Sequence, residues 1–156
     1  MSAELGKRPS DMTPDELAGA CAQSMWADDE ASQQLGMSLE HVAAGHARIS
    51  MQVTNAMCNG HATAHGGFIF ALADSAFAFA CNSYNPRVVA QHCSITFVAP
   101  AFEGDMLVAT AEEVTRFGRN GIYDIRVTKE DGSLIAEFRG HSRQVRGTHL
   151  PEGPEE

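Results

Sequence analysis

One apolar segment limits how the rest of this chain can fold. From Gly66 to Cys81 the sequence reads GGFIFALADSAFAFAC, and apolar residues occupy nearly every position. A helix that is apolar on all sides has to be buried, so the segment predicts a central helix covered by other elements. Its only charged residue, Asp74, lies near the middle. The sequence therefore predicts a carboxylate in an apolar site.

That carboxylate has no partner on its own helix. The positions three and four residues away are Phe70, Ala71, Phe77 and Ala78, and none of them can form an ion pair with it. A buried cation or amide elsewhere in the fold would make Asp74 a structural acid. Burial without such a partner raises the pKa of a carboxyl group and favours a role as general base or nucleophile.

The remaining pattern predicts an antiparallel sheet that covers the helix, which is an α+β fold. One alternating strand precedes the helix and four follow it, with Asn120-Gly121 as the strongest hairpin signal. The five predicted strands are 42–53, 88–98, 106–117, 122–129 and 134–145.

Two helices are expected before the sheet. Thr13-Pro14 followed by two acids is a helix start, and that helix is predicted to reach Trp26. A short second helix is predicted to end at Gly36. We predict one domain over 13–147, between flexible tails at 1–12 and 148–156.

Composition excludes several classes of partner. The net charge of −9 over 156 residues, without a cluster of Lys and Arg, argues against nucleic acid. Apolar runs are too short for a membrane span, and the first residues lack the apolar region of a signal peptide. The four cysteines show no metal-ligand spacing. We expect a cytoplasmic protein with reduced thiols at Cys21, Cys58, Cys81 and Cys93.

The turn before the helix is the second feature of interest. His65 is followed by Gly66 and Gly67, and the first amides of a helix have no intrahelical partner. Such amides can hold a developing oxyanion, and glycine allows close approach. An ordinary glycine-rich turn with His65 as its cap is the alternative. Asn59 either donates its amide to the site or forms a turn with the following glycine.

Spacing separates the two features. Gly66 and Asp74 are eight residues apart, which corresponds to about 12 Å along one helix. They cannot both contact the same carbonyl group. If both serve one reaction they come from different chains, so the spacing predicts a two-fold dimer with composite sites.

The segment NGHATAHGGFIFALADSAFAFACNSY, together with the strand at 122–125 and FRGHSRQVRG near the end, resembles the hotdog-fold acyl-CoA thioesterases of the phenylacetate-degradation (PaaI) type. The resemblance covers about residues 20–148. It implies an antiparallel sheet wrapped around one long central helix. It also implies hydrolysis of CoA thioesters, with phenylacetyl and ring-hydroxylated phenylacetyl groups preferred, and dimers paired into a homotetramer.

The resemblance also assigns roles to residues. Asp74 is implied as the general base or nucleophile, and Gly66 as the backbone donor to the oxyanion. Asn59 and His65 are implied to position the thioester. Ser75, where relatives carry Thr, would help to place the water. No metal or cofactor is implied, since coenzyme A is part of the substrate.

The phosphates of coenzyme A need positive groups. Exposed arginines on the later strands are candidates, although each also suits an ordinary solvated strand face; they are Arg116, Arg119 and Arg143, with Arg139 and Arg146.

Two other functions stay open from the sequence. An enoyl-thioester hydratase on the same fold pairs its Asp with a His about five residues later, but position 79 is Phe. A non-catalytic acyl-CoA-binding module would not need a buried acid. A metal site at His61, His65 and His92 has no supporting spacing.

Overall fold

Two helices precede the sheet. The computed structural model describes residues 6–153, and in it helix α1 spans Pro14–Asp28 and helix α2 spans Glu30–Gln34. The helix start predicted at Thr13 is confirmed. Its hydroxyl accepts from the Glu16 N–H at 3.2 Å, while the Glu16 carboxylate accepts from the Thr13 N–H at 3.1 Å. This reciprocal capping fixes where α1 begins.

Six strands and one long helix follow. Strands β1 (Ser38–Ala43) and β2 (His46–Gln52) come before helix α3 (Gly66–Cys81); the later strands are β3 (Pro86–Phe97), β4 (Met106–Phe117), β5 (Asn120–Lys129) and β6 (Leu134–Thr148). The strands form one antiparallel sheet in the order β1-β2-β4-β5-β6-β3. The sheet packs on α3, which is the arrangement expected of a hotdog fold.

The prediction of one strand over 42–53 was wrong. The structure divides this region into β1 and β2, which pair with each other through a turn at Ala44 and Gly45. Gly45 has φ of +69°, a conformation that glycine adopts without strain. The turn sequence Ala-Ala-Gly carries no Asn, Asp or Pro, so the usual hairpin signals were absent.

The core forms between α3 and the inner face of the sheet. Leu72, Ala73 and Ala76 of α3 are fully buried, and the small alanines let the sheet approach the helix closely. The aromatic ring of Phe77 packs against Tyr123 and Phe138, with ring centroids 5.6 and 6.1 Å apart. The apolar character of α3 thus explains its central position.

Gly140 is a packing requirement of this core. A Cβ atom at this position would lie 2.7 to 2.8 Å from three ring atoms of Phe77, whose side chain is buried. We expect Gly140→Ala to lower the free energy of unfolding by about 1–3 kcal/mol, the usual cost of overpacking. Urea denaturation measures it. Gly60→Ala is the control, because its Cβ would meet nothing within 4 Å; equal stability of the two variants would contradict the expectation.

The ordered part of the chain extends past the predicted domain boundary. Strand β6 includes Thr148, and the backbone N–H of Leu150 donates to the side chain of Asn85 at 2.9 Å. Near the start, a 3₁₀ turn spans Pro9–Asp11. The outermost parts of the predicted tails, 1–5 and 154–156, lie outside the described residues.

Strand β3 is an edge of the sheet. It pairs with β6 on one side only, so its other side presents unpaired backbone amides and carbonyls. Phe97 at its end is 51% exposed and the following Val98 is 53% exposed. A long strand with an open edge and apolar ends offers a surface for a second sheet. Among residues 6–153, no helix has the length and apolarity needed to span a membrane.

Candidate active site

Asp74 lies near the middle of α3 and is partly buried. Burial raises the pKa of its carboxyl group, and no hydrogen bond or cation within the described residues acts in the opposite direction. The structural-acid alternative requires such a partner. A partly buried carboxylate with a raised pKa and no internal partner is suited to accepting a proton from a reacting group.

Two thiols lie close to Asp74, and the sequence alone did not indicate this. Burial raises the pKa of Cys81 to about 12, and the negative charge of Asp74 contributes to that rise. Burial and the same carboxylate also raise the pKa of Cys93 on β3. Both thiols therefore stay protonated at neutral pH and are poor nucleophiles. Asp74 consequently lies on the side of α3 that approaches the edge strand.

His65 caps the central helix. Its ring Nδ1 accepts a hydrogen bond from the Gly67 N–H at 2.9 Å. The backbone N–H of His65 donates to the carbonyl of Met57 at 2.7 Å. A neutral ring whose Nδ1 accepts carries its proton on Nε2. The cap therefore uses the Gly67 amide, while the hydrogen bonds of residues 6–153 include none from the Gly66 N–H. Gly66 thus keeps an amide that can serve as an oxyanion donor.

Gly66 lines an apolar cleft at the start of α3. The cleft measures about 420 Å³ and is lined in part by Ile69, Phe97 and Pro100. A Cβ atom on Gly66 would lie 2.8 Å from the ring of Phe97, so any larger residue at this position would clash with that ring unless it moved. The sequence predicted a role for Gly66 but gave no sign that Phe97 packs against it. Phe97 lies at the end of β3, far from Gly66 in sequence.

Asn59 organises the loop before the helix. Its side-chain oxygen accepts from the His61 N–H at 2.9 Å and from both the N–H and the hydroxyl of Thr63, at 3.3 and 3.2 Å. The turn alternative considered for Asn59 is therefore present in the structure. Because the oxygen is occupied, a direct role toward a substrate would fall to the Nδ2 donors.

Ser75, the residue after Asp74, belongs to a hydrogen-bonded network that reaches α2. Its hydroxyl lies 2.8 Å from the hydroxyl of Ser32, which in turn donates to the Asp29 carboxylate at 2.7 Å. Ser32 is 2% exposed. The short α2 helix is thereby linked to the residue next to the candidate catalytic acid.

The structure does not bring the predicted site residues together within one chain. Gly66 is the first residue of α3 and Asp74 is its ninth, about 12 Å further along the axis. His65, Gly66 and Asn59 cluster at the start of the helix, whereas Asp74 and Ser75 lie near its middle. Within one chain, the two groups of candidate residues are therefore separate.

Three of the arginine candidates lie near the segment that follows α3, namely Arg116, Arg119 and Arg146. Arg116 forms an ion pair with Glu113 at 2.8 Å and stacks on the ring of Tyr84 at 3.4 Å. Arg119 and Arg146 line one cleft of about 490 Å³ at the start of β3. Arg143 is exposed. The remaining candidate, Arg139, is paired with Asp124 at 2.6 Å.

The histidine candidates for a metal site are not brought together. His61 is exposed in the loop before α3. His92 packs against His141 with ring centroids 5.5 Å apart. Among residues 6–153 there is no group of three or more His, Cys, Asp or Glu side chains arranged to hold a metal ion.

Comparison with known proteins identifies the family. The model of the thioesterase superfamily matches residues 61–136. The acyl-coenzyme A thioesterase PaaI of Escherichia coli is 41% identical over 127 residues, which cover 81% of this chain and 91% of that protein. The chain belongs to the thioesterase superfamily.

Solved structures agree with the fold of this thioesterase. The structure of the E. coli PaaI protein from the phenylacetic acid degradation operon matches with a TM-score of 0.86 at 39% identity, covering 87% of this chain and 99% of that one. The phenylacetic acid degradation protein PaaI of Thermus thermophilus matches with a TM-score of 0.72 at 38% identity, covering 75% of this chain and 100% of that one. The predicted hotdog fold and family resemblance are confirmed.

Proposed function

We propose that this thioesterase hydrolyses phenylacetyl-CoA or its ring-hydroxylated relatives to the free acid and CoA, in the degradation of phenylacetate. The observation that carries the proposal is Asp74, a partly buried carboxylate with a raised pKa and no partner among residues 6–153. The similarity to the PaaI proteins of E. coli and T. thermophilus supports the choice of substrate.

In the proposed reaction, Asp74 activates the attack on the thioester carbonyl. As general base it takes a proton from water, whose oxygen bonds to the carbonyl carbon; as nucleophile it would form an anhydride that water then cleaves. The carbonyl oxygen becomes negative and is held by the Gly66 N–H. The carbon–sulfur bond then breaks, and the thiolate of CoA takes up a proton. The residues that position the thioester are Asn59 and His65. The reaction as proposed uses no metal or cofactor.

We propose that each site combines residues from two chains. If the β3 edges of two copies pair antiparallel, the Phe97 end of one strand approaches the Pro86 end of the other. This pairing would satisfy the open edge. It would also bring the Gly66 cleft of one chain toward the Asp74 half of its partner. The proposed assembly is this homodimer, with two dimers forming a tetramer.

The same pairing suggests where the CoA phosphates bind. The cleft that contains Arg119 and Arg146 lies at the start of β3, so the partner's Gly66 cleft would approach it. Within one chain, that region is about 22 Å from Gly66, judged from the length of α3. We favour Arg119 and Arg146, which line this cleft, together with the exposed Arg143, as phosphate contacts. Arg116 is less suitable because it is already paired with Glu113.

The proposal is tested by measuring free thiol released from phenylacetyl-CoA, with ring-hydroxylated phenylacetyl-CoA and a straight-chain acyl-CoA as comparisons. We expect the highest kcat/KM for the aromatic substrates. Preference for the straight chain would overturn the aromatic assignment. Binding of acyl-CoA without thiol release would favour a non-catalytic binding module, and hydration of an enoyl-CoA would favour the hydratase.

The pH profile follows from the raised pKa of Asp74. The base must be ionised to act, so kcat/KM falls as the pH drops through its pKa in the folded protein. We expect the midpoint of this acidic limb above 3.8, the ordinary value for aspartate, because burial raises the pKa. Steady-state rates across the acidic range measure the limb. A midpoint at or below 3.8 would contradict the assigned environment of Asp74.

A further inference from the structure

The hydrogen-bonded chain from Asp29 to Ser75 has a defined direction. Asp29 caps α2 by accepting from the Ser32 N–H at 3.0 Å through Oδ1, and its Oδ2 accepts from the Ser32 hydroxyl at 2.7 Å. A hydroxyl group has one proton to donate. The proton of Ser32 is therefore committed to Asp29.

The direction of the next bond follows from this. The Ser32 and Ser75 hydroxyl oxygens are 2.8 Å apart, and Ser32 has no second proton to supply. Ser75 must therefore donate to Ser32. Once its proton is used in this way, the Ser75 oxygen offers only lone pairs to any other group. The Asp29 carboxylate, acting through Ser32, therefore makes the Ser75 hydroxyl an acceptor toward other groups.

We propose that Asp29 and Ser32 are positioning residues for hydrolysis, and that they hold Ser75 as an acceptor for one hydrogen of the reacting water. The inference rests on the proposed thioesterase reaction. Ser75 follows Asp74 on α3, about 100° further around the helix. In the proposed arrangement the reacting water lies between these two directions, where it can contact both side chains.

The acceptor role suits the chemistry of the attacking water. The water gives one proton to the Asp74 carboxylate as its oxygen bonds to the carbonyl carbon. Its other hydrogen remains on the oxygen and donates to Ser75, so the attacking lone pair stays free. A Ser75 hydroxyl that donated to this water would instead withdraw electron density from the water oxygen and make it a weaker nucleophile. Reversing the direction of the hydrogen bonds from Ser75 through Ser32 to Asp29 should therefore slow the chemical step.

Asp29→Asn is expected to reverse the direction of these hydrogen bonds with little change in side-chain shape. Asn is as good a helix cap as Asp, so its oxygen can keep the bond to the Ser32 N–H. Its NH₂ group then faces the Ser32 hydroxyl and donates to it, which frees the Ser32 proton to point at Ser75. Asp28→Asn is the matched control, since Asp28 is an exposed neighbour outside the chain and loses the same charge.

We expect Asp29→Asn to lower kcat for phenylacetyl-CoA about tenfold, the scale of one hydrogen bond, with KM and Tm unchanged. Ser75→Ala should lower kcat similarly, and the double variant should lose no more than either single one. Ser75→Thr, which keeps the hydroxyl, should retain activity. Asp28→Asn should match the wild type.

Other results would overturn the inference. If Asp29→Asn and Ser75→Ala reduce kcat by independent factors that multiply in the double variant, the two residues do not act through one chain. If Asp29→Asn lowers Tm and raises KM while kcat is kept, the chain is only structural. Wild-type kcat in Asp29→Asn refutes the inference alone, whereas a wild-type protein that hydrolyses no acyl-CoA refutes the proposed function as well.

Discussion

Asp74→Asn is expected to reduce kcat for phenylacetyl-CoA by at least about 10²-fold, the scale of losing a positioned base. The substitution keeps the shape of the side chain and removes the charge that accepts the proton. Thiol release under saturating substrate measures the change. The acidic limb of the pH profile should disappear together with the activity. Hydrolysis at the wild-type rate would show that Asp74 is a structural acid.

The same variant should unfold at a higher temperature at pH 7. Because burial raises the pKa of Asp74 in the folded chain, the folded state binds this proton more tightly than the unfolded state. Its stabilising contribution is complete below the ordinary aspartate pKa and is lost as the pH rises through the folded-state pKa. Asn avoids the cost of the buried charge, so the gain in Tm should vanish at low pH. A lower Tm at pH 7 would show that the carboxylate stabilises the fold.

The second large effect is recovery of activity in mixed dimers. Asp74→Asn removes the base, and Gly66→Val blocks the cleft, since even a Cβ atom would lie 2.8 Å from the Phe97 ring. Each variant alone should be nearly inactive. In a composite arrangement, every mixed dimer has one site with both changes and one site with neither. Equal co-expression makes half of the dimers mixed, so about a quarter of the wild-type activity should return.

A site contained in one chain predicts a different outcome. Each site of a mixed dimer would then carry one of the two changes, and activity would stay near the level of the separate variants. Co-purification of the two variants from separately tagged chains is the control, because it shows whether Asp74→Asn and Gly66→Val form mixed dimers. The recovered fraction thus distinguishes the two arrangements.

Helix α3 could be predicted to the residue because two independent signals agree. Its apolar composition requires burial, and the glycines after His65 mark its start. The capping box at Thr13 was predictable for a similar reason, since all of its parts are adjacent in sequence. Local signals of this kind need no knowledge of the rest of the fold.

The features that sequence reasoning missed depend on distant contacts or on weak turn signals. The turn at Gly45 has no strong hairpin residue, so β1 was merged with β2. Cys93 approaches Asp74 only because β3 packs beside the helix, and Ser32 meets Ser75 across 43 positions of the chain. The periodicity of the sequence does not predict such long-range contacts.

The candidate site was predictable in its residue types but only partly in its roles. The absence of a partner for Asp74 on its own helix was foreseen from its helical neighbours, whereas a partner from another element was left open. Asn59, by contrast, has its side-chain oxygen committed to the loop. The sequence could not show which arginines are free to bind a phosphate and which are paired with an acid. The ion pair between Arg116 and Glu113, for example, depends on local geometry around a bulge in β4.

The turn after the central helix is completed late during synthesis of the chain. Asn85 is 2% exposed and has φ of +88°, and its side chain bonds to Leu150, 65 positions later. While the protein is being made, that side chain has no such partner until residues around 150 have been added. The helix that carries Asp74 can form early, but the turn that leads from it into the edge strand waits for β6. In the proposed dimer, assembly through that edge would therefore be delayed until nearly all of the sheet exists, which would limit premature pairing between nascent chains.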